Sequence, residues 1–380
     1  MDRRRGALRG GARRSLKRDD FDYELPAGRI AAEPAERRDD ARLMVLDGAA
    51  GEPKDSVVRD LPEILRAGDL LVVNDTRVFP ARLRGRKDSG GAVEALLLRR
   101  LSAEGESRER WRALVGASHA PRGGARMRFG DSLTARVVEP PASDGEAVLE
   151  LEAATGSVSA AVEATGETPL PPYIPRGRSR GGQRPGEIDR ERYQTVYARE
   201  GRSAAAPTAG LHFTPELLDR LGARGVRRAA ITLEVGLGTF APIKEADLSA
   251  HRLHSETFAI PAATVEAIAA ARQSGGRIVA VGTTVVRTLE EAARRGSLDG
   301  PPRPLDGETA LFITPGFEFR VIDVLMTNFH LPRSTLLVLA AAFAGRERLL
   351  AAYRTAVERG YRFYSYGDAM LLTRERAGAA

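Results

Sequence analysis

From Val226 onward, short apolar runs pass through glycines into helical periods, and this alternation restricts the fold more than any other feature of the chain. RIVAVG at 277–282 runs directly into Thr283, Thr284 and VVRTLEEAARRG. VRRAAITLEVG at 226–236 reads as a strand ending in a glycine turn, and TVEAIAAARQSGG at 264–276 as a helix with a glycine stop. ALFITPG, VIDVLMTNFHLP and YRFYSYGDAMLL add three strand-like runs. Ser334 is placed to cap the apolar helix TLLVLAAAFAG, and RERLLAAYRTAVERG is an amphipathic helix closed by Gly360. Strands alternating with helices predict a large α/β domain of the α/β/α sandwich kind.

The first part of the chain fits this rhythm and then leaves it. ARLMVLD reads as a strand, DLPEILRAGD as a short helix closed by Gly68, and DLLVVNDTR as a buried strand ending in Asn74, Asp75 and Thr76. Polar residues at the carboxyl end of an apolar strand are where open α/β sheets hold ligands, which makes Asp75 a candidate. From Val78 to about Leu151 the pattern becomes short alternating segments parted by Gly, Pro, Asp or Ser, as in a small antiparallel barrel. The expected organisation is a basic disordered tail at 1–20, an α/β catalytic domain made of 21–77 and 153–380, and an inserted barrel at 78–152. A helix is expected near 157–165, followed by a proline- and arginine-rich loop suited to a polyanion.

Residues 1–18 hold eight Arg or Lys against the single Asp2, which accounts for the whole net charge of +7. The body is therefore balanced, and any nucleic-acid contact there needs a local patch such as Arg82, Arg84, Arg86 and Lys87. The apolar run 335–344 is far short of the roughly 20 residues that cross a bilayer. No secretory signal is recognisable, and the absence of cysteine excludes disulfides and thiolate chemistry. A cytoplasmic protein is expected.

The stretch SAAAPTAGLHFTPELL at 203–218 sets His212 among small residues and just before a helix start marked by Thr214, Pro215 and Glu216. Backbone or ligand can approach closely at Gly210. His251, His254 and Glu256 in HRLHSE come nearest to metal-ligand spacing, but the segment is not clearly helical, and no metal site is expected. Neither a phosphate loop nor a dinucleotide fingerprint nor a nucleophile-elbow serine motif occurs. Gly282 with Thr283 and Thr284 at a strand-to-helix junction offers backbone amides to a carboxylate or phosphate.

APTAGLHF at 206–213, VGLGTFAPI, HRLHSE, VGTTVVRTLE at 281–290, TNFHLPRSTLL at 327–337 and SYGDAML at 365–371 follow one another here, preceded by GDLLVVNDTRVFPARL, LPPYI and ERYQTVYA. In order and content they resemble the S-adenosylmethionine:tRNA ribosyltransferase-isomerases of queuosine biosynthesis, from about Phe21 to Thr373. Two departures are visible: Glu234 stands where that family usually has a histidine, and the proline-rich loop carries a longer Arg/Gly insertion. The resemblance implies transfer and isomerisation of the ribosyl part of S-adenosylmethionine onto 7-aminomethyl-7-deazaguanine at the tRNA wobble position. Epoxyqueuosine-tRNA, adenine and methionine are the implied products. It also implies a large α/β domain interrupted by a barrel, S-adenosylmethionine as co-substrate with no tightly bound cofactor, a tRNA partner, and action as a monomer.

The chemistry so implied asks for a base at the carbon beside the sulfonium, a proton donor for departing adenine and a partner for the methionine carboxylate. His212 or His254 is assigned as base with Glu256 orienting or sharing that task, and His330 or Asp75 lies near adenine. Arg333 and the Thr283/Thr284 helix start hold the carboxylate. Thr208, Gly210, Gly238, Thr239, Arg287, Asn328, Tyr366 and Asp368 complete the expected binding set, with an Asp368–Arg287 ion pair as the structural alternative. Two other readings remain at this point: a metal-dependent hydrolase using His251, His254 and Glu256, and a noncatalytic RNA-binding protein.

Overall fold

The computed structural model describes residues 15–48, 51–171, 174, 187–236 and 243–374. In chain order come β1 (Arg42–Leu46), β2 (Lys54–Val57), the one-turn α1 (Leu61–Ile64), β3 (Leu70–Asn74) and β4 (Thr76–Val78). Six strands follow: β5 (Arg82–Lys87), β6 (Ala92–Ala103), β7 (Arg108–Ala117), β8 (Arg126–Phe129), β9 (Leu133–Glu139) and β10 (Glu146–Ala153). Then come α2 (Val158–Thr165), α3 (Glu187–Arg192), β11 (Glu200–Ser203), α4 (Pro215–Ala223), β12 (Arg227–Leu233), β13 (Glu256–Ile260), α5 (Ala262–Gln273) and β14 (Ile278–Val281). The chain continues through α6 (Thr283–Arg294), β15 (Leu305–Thr309), β16 (Val324–Asn328), α7 (Thr335–Ala344), α8 (Arg346–Glu358) and β17 (Ala369–Thr373).

Nine strands form one sheet in the order β15-β13-β12-β3-β14-β16-β17-β1-β2. Its centre, β12-β3-β14-β16, is parallel, so four carboxyl ends share one edge. Every residue of β3, β14 and β16 is buried, as their apolar runs require when helices cover both faces. Leu70, Val72, Ile278 and Ala280 pack towards Val265, Val286, Leu289 and Leu337 of α5, α6 and α7. Alternate residues Leu71, Val73, Val279 and Val281 pack towards Leu217 and Leu221 of α4 on the other face. β5 to β10 close into an antiparallel barrel in the order β10-β7-β6-β5-β8-β9, with Leu83, Trp111, Phe129 and Leu149 in its core. A large mixed sheet with helices on both faces and a separate barrel is the fold class the patterning predicts.

Three local expectations are corrected. ALFITPG is not a strand: pairing at that edge uses Leu305–Thr309 just before it, and Leu311 and Ile313 bury as loop residues. The aromatic part of YRFYSYGDAMLL is a packed turn that makes a single bridge, Phe363 to Ile30, and the strand proper is Ala369–Thr373. Its rings explain this, because Tyr361 and Phe363 gather around Phe329 and Tyr353. Residues 15–20, assigned to the tail, are engaged by the body: Leu16 O accepts from Leu248 N at 3.1 Å and Arg18 N donates to Ala246 O at 2.9 Å.

Candidate active site

The parallel edge opens because its strands part there. Ile231 opposite Asn74 is the last β12–β3 pair, and beyond it the buried Asn74 side chain replaces the ladder. Its Oδ1 accepts from Leu233 N at 3.0 Å and Thr76 N at 3.1 Å, and its Nδ2 donates to Leu233 O at 3.1 Å. Next to it β14 turns through Gly282, whose φ of 92° suits a residue without Cβ, into the first turn of α6. Its N-cap, Gly282, has no side chain with which to cap this helix start. Thr283 and Thr284, Thr208 and Ala209, Val235, Asn328 and His330 line the resulting cleft.

The polar groups in the cleft are mutually fixed. Thr208 Oγ1 donates to Asn328 Oδ1 at 2.8 Å, and Asn328 Nδ2 donates to Tyr364 O at 3.2 Å. Tyr364 holds a φ of 77°, unusual for a bulky residue, with its N–H bonded to Phe329 O at 2.9 Å. His330 Nε2 lies 2.8 Å from Thr327 Oγ1, and burial pushes the imidazole down to about 3, so the ring is neutral near pH 7. Its main chain is clamped by Tyr353 Oη and Tyr23 Oη, at 3.0 and 2.5 Å.

A second cleft of about 520 Å3 lies between barrel and sheet, lined by Arg112, Arg202, Glu234, His254 and Glu256 among others. Val235 lines both clefts, which are therefore neighbours. Glu256 Oε1 accepts from Gly236 N at 2.8 Å, while Oε2 binds Arg287 Nη1. Arg287 also donates from Nε to Leu311 O at 3.0 Å and from Nη2 to Thr309 O at 3.3 Å. The expected alternative pair of Arg287 with Asp368 is thus not formed. Asp368 instead accepts from Arg42 N at 3.0 Å and Arg362 N at 2.7 Å.

The other expected residues fall elsewhere. His212 is buried, with Nδ1 and Nε2 each 3.0 Å from a carbonyl, those of Ala209 and Gly367, of which a neutral ring can donate to only one; burial lowers its pKa. Gly210 is close-packed by protein, since a Cβ there would lie 2.1 Å from Tyr197 Oη. Asp75 accepts from Thr232 Oγ1 at 2.7 Å. Arg333, with φ of 58°, is half-exposed and turns to Asp22 and Asp19 instead of to the α6 start. Tyr366 donates to Asp189 at 3.3 Å. Gly238 and Thr239 lie outside the described residues. The HRLHSE trio does not converge: His251 Nδ1 pairs with Glu245 at 2.6 Å, Glu256 with Arg287, and no three potential ligands gather among the described residues.

The structure adds Asn74, Thr327 and Tyr364 to the strand-end set. Asn74 carried a readable signal, a polar residue at the end of a strand that is otherwise wholly apolar. Nothing in the sequence marks the backbone of Tyr364.

A largely parallel sheet whose carboxyl ends gather fixed polar groups, next to a helix start, places the chain among the open α/β sheets, a class that holds ligands at its strand ends; the cleft itself has a free volume of about 20 Å3. Comparison with known proteins narrows the class. The family model described as "Queuosine biosynthesis protein" matches residues 18–372. The S-adenosylmethionine:tRNA ribosyltransferase-isomerase of Anaeromyxobacter dehalogenans (strain 2CP-C) is 55% identical, over 94% of this chain and all of that protein. The one from Citrifermentans bemidjiense is 50% identical, over 93% and 98%. A crystal structure of the S-adenosylmethionine tRNA ribosyltransferase of Thermotoga maritima, 36% identical, covers 93% of this chain and 99% of its own with a TM-score of 0.51. The chain belongs to the queuosine biosynthesis protein family.

Proposed function

We propose that the chain is an S-adenosylmethionine:tRNA ribosyltransferase-isomerase. It moves the ribosyl group of S-adenosylmethionine onto the amine of 7-aminomethyl-7-deazaguanine at the tRNA wobble position and isomerises it, releasing adenine and methionine. One observation carries the placement of this chemistry: Thr208, Thr283, Thr284, Asn328 and His330, from three separate segments, line one cleft at the parallel strand ends of a chain in this family.

In this reading S-adenosylmethionine occupies the strand-end cleft. The start of α6, N-capped by Gly282, with Thr283 and Thr284, holds the methionine carboxylate through backbone amides and hydroxyls. Arg333 has no part in that, since its guanidinium is turned to the N-terminal segment. His330 stays neutral and acts on adenine by hydrogen bonding, because an imidazole titrating at about 3 is not a proton store near pH 7. Of the two base candidates His254 is favoured: it is exposed at the neighbouring cleft, whereas His212 is buried with each ring nitrogen facing a main-chain carbonyl. The wobble nucleotide enters between barrel and sheet and meets the ribosyl group at Val235, where the clefts adjoin.

No helix among the described residues is long and apolar enough to cross a membrane. With tRNA as substrate, we place the enzyme in the cytoplasm, acting as a monomer because one chain supplies every group named. The test mixes purified protein, S-adenosylmethionine and tRNA bearing the 7-aminomethyl base and follows free adenine. Adenine released in step with tRNA modification is the expected result; no release from correctly modified tRNA overturns the assignment.

A further inference from the structure

Arg38 precedes β1 and Arg192 ends α3, yet both line one small cavity with Leu211, His212 and Tyr366. Among the described residues their guanidinium hydrogen bonds all go to main-chain oxygens. Arg38 Nη1 donates to Leu211 O at 3.1 Å and its Nη2 to Glu191 O at 2.8 Å. Arg192 Nη1 donates to Glu36 O at 3.3 Å and its Nη2 to Ala35 O at 2.5 Å. Among the described residues neither guanidinium is ion-paired to a carboxylate; the adjacent Asp39 is taken by Arg37 at 3.4 Å. The Nε of Arg192 is buried without a hydrogen-bond partner. Burial, and then the charge of Arg192, push the ionisation of Arg38 below the ordinary arginine value.

Arg38 and Arg192 are partly buried, and in lacking an ion pair they differ from two other arginines of low exposure. Arg287 is matched by Glu256, and Arg277 by Asp69 at 2.6 Å. Two like charges fixed side by side, with no carboxylate paired to either and the nearby Glu191 offsetting only part of their repulsion, are unfavourable in the free protein and are relieved when an anion arrives. The planar fork of arginine suits an anion with several oxygens in a tetrahedral group.

We infer that Arg38 and Arg192 form a phosphate-binding site for the backbone of the substrate tRNA. This rests on the proposed function, which supplies the polyanion. The position is apt, because the turn 208–212 separates the two sites: Leu211 and His212 line the arginine cavity, Thr208 and Ala209 the strand-end cleft. A phosphate held there fixes the tRNA one turn of chain away from the reacting groups, and such contacts set register without reading bases.

The test uses the full chain and an unmodified tRNA transcript, with binding measured by fluorescence anisotropy between about 50 and 300 mM KCl, a range over which phosphate contacts show as a salt slope. Arg38→Gln with Arg192→Gln should weaken tRNA binding about 10-fold or more and lower the slope of log affinity against log salt by about 1 to 2. The KM for S-adenosylmethionine should not move. Arg38→Lys with Arg192→Lys, keeping the charge, should restore most of the slope. If the double glutamine variant does not fold, either single variant should still lower the slope by about 1. Wild-type affinity and slope in a folded variant, even with a lowered Tm, would overturn the site and leave these arginines as loop staples. Adenine release by the wild-type protein reports separately on the reaction: weakened tRNA binding in the variants with no turnover in the wild type would retain the phosphate site and reject the proposed activity.

Discussion

Glu256 and Arg287 show how little of a buried residue's task is visible in the chain. The sequence presents both as candidate reacting or binding groups, and the structure makes them a cross-link between the start of β13, the segment after β12, the first half of α6 and the segment after β15. The sequence could not choose Glu256 over Asp368 as the partner of Arg287, since the choice depends on which elements meet in three dimensions. Glu256→Ala leaves Arg287 buried and unpaired, so urea unfolding should show a loss of about 3–5 kcal/mol; an unchanged midpoint would show the pair to be dispensable. His330 supports a prediction in pH. Its folded pKa of about 3 lies below the unfolded value near 6.5, so the unfolded chain takes up a proton that the folded chain refuses. Its contribution is fully present above about pH 6.5 and declines on acidification towards 3. Wild type should lose about 2 kcal/mol more than a His330→Gln variant between pH 7.5 and pH 5. His212, also depressed by burial, acts in the same direction. Equal pH dependence in the two proteins would show that His330 is not held neutral.

At the scale of elements, legibility followed burial. β3, β14 and β16 were readable because strands covered on both faces are apolar throughout, and α4 and α7 because Thr214 and Ser334 each cap a helix as their positions predict; Ser157 caps α2 as well. Edge and turn elements were not, since β15 is LDGET, with nothing apolar in it after Leu305. The turn 208–212 lies between these cases. Its small residues predicted close approach correctly, but at Gly210 the approaching atom belongs to Tyr197. Gly210→Ala should therefore destabilise by overpacking, by about 1–3 kcal/mol, and the loss should shrink when Tyr197→Phe removes the hydroxyl. Thermal melts of the two single variants and the double variant measure the coupling. A ligand contact at Gly210 would instead raise the KM for S-adenosylmethionine and leave the melts alone.

The whole molecule depends on how the barrel sits against the sheet, and Arg202 spans that junction. From β11 its main-chain N–H donates to Glu234 at 3.2 Å, its Nη2 donates to Ser159 Oγ at 2.9 Å, and its Nη1 lies 3.7 Å from the buried Glu109 of the barrel. The guanidinium also lies over the Trp111 ring at 5.7 Å. The insertion of the barrel was legible from the change of texture at Val78, whereas this junction was not, because its members are drawn from positions 109, 159, 202 and 234. Arg99 with Glu308, 3.3 Å apart, also bridges barrel and sheet, but half-exposed side chains make it worth about 0–1 kcal/mol. Glu109 keeps Arg100 and the Trp111 Nε1 proton, at 3.2 and 2.8 Å, so Arg202→Ala removes one of several partners and should cost about 1–2 kcal/mol, not the larger sum for an orphaned charge. Its larger effect should be on function: with the inter-domain cleft loosened, the KM for tRNA should rise several-fold while the KM for S-adenosylmethionine, bound at the strand ends, stays near wild type. Arg224→Ala, which breaks the exposed Arg224–Glu63 pair away from both clefts, serves as the control and should alter neither. If both KM values rise together in Arg202→Ala, the two clefts are not separable in the way their linings indicate, and the wobble nucleotide and S-adenosylmethionine must share one site.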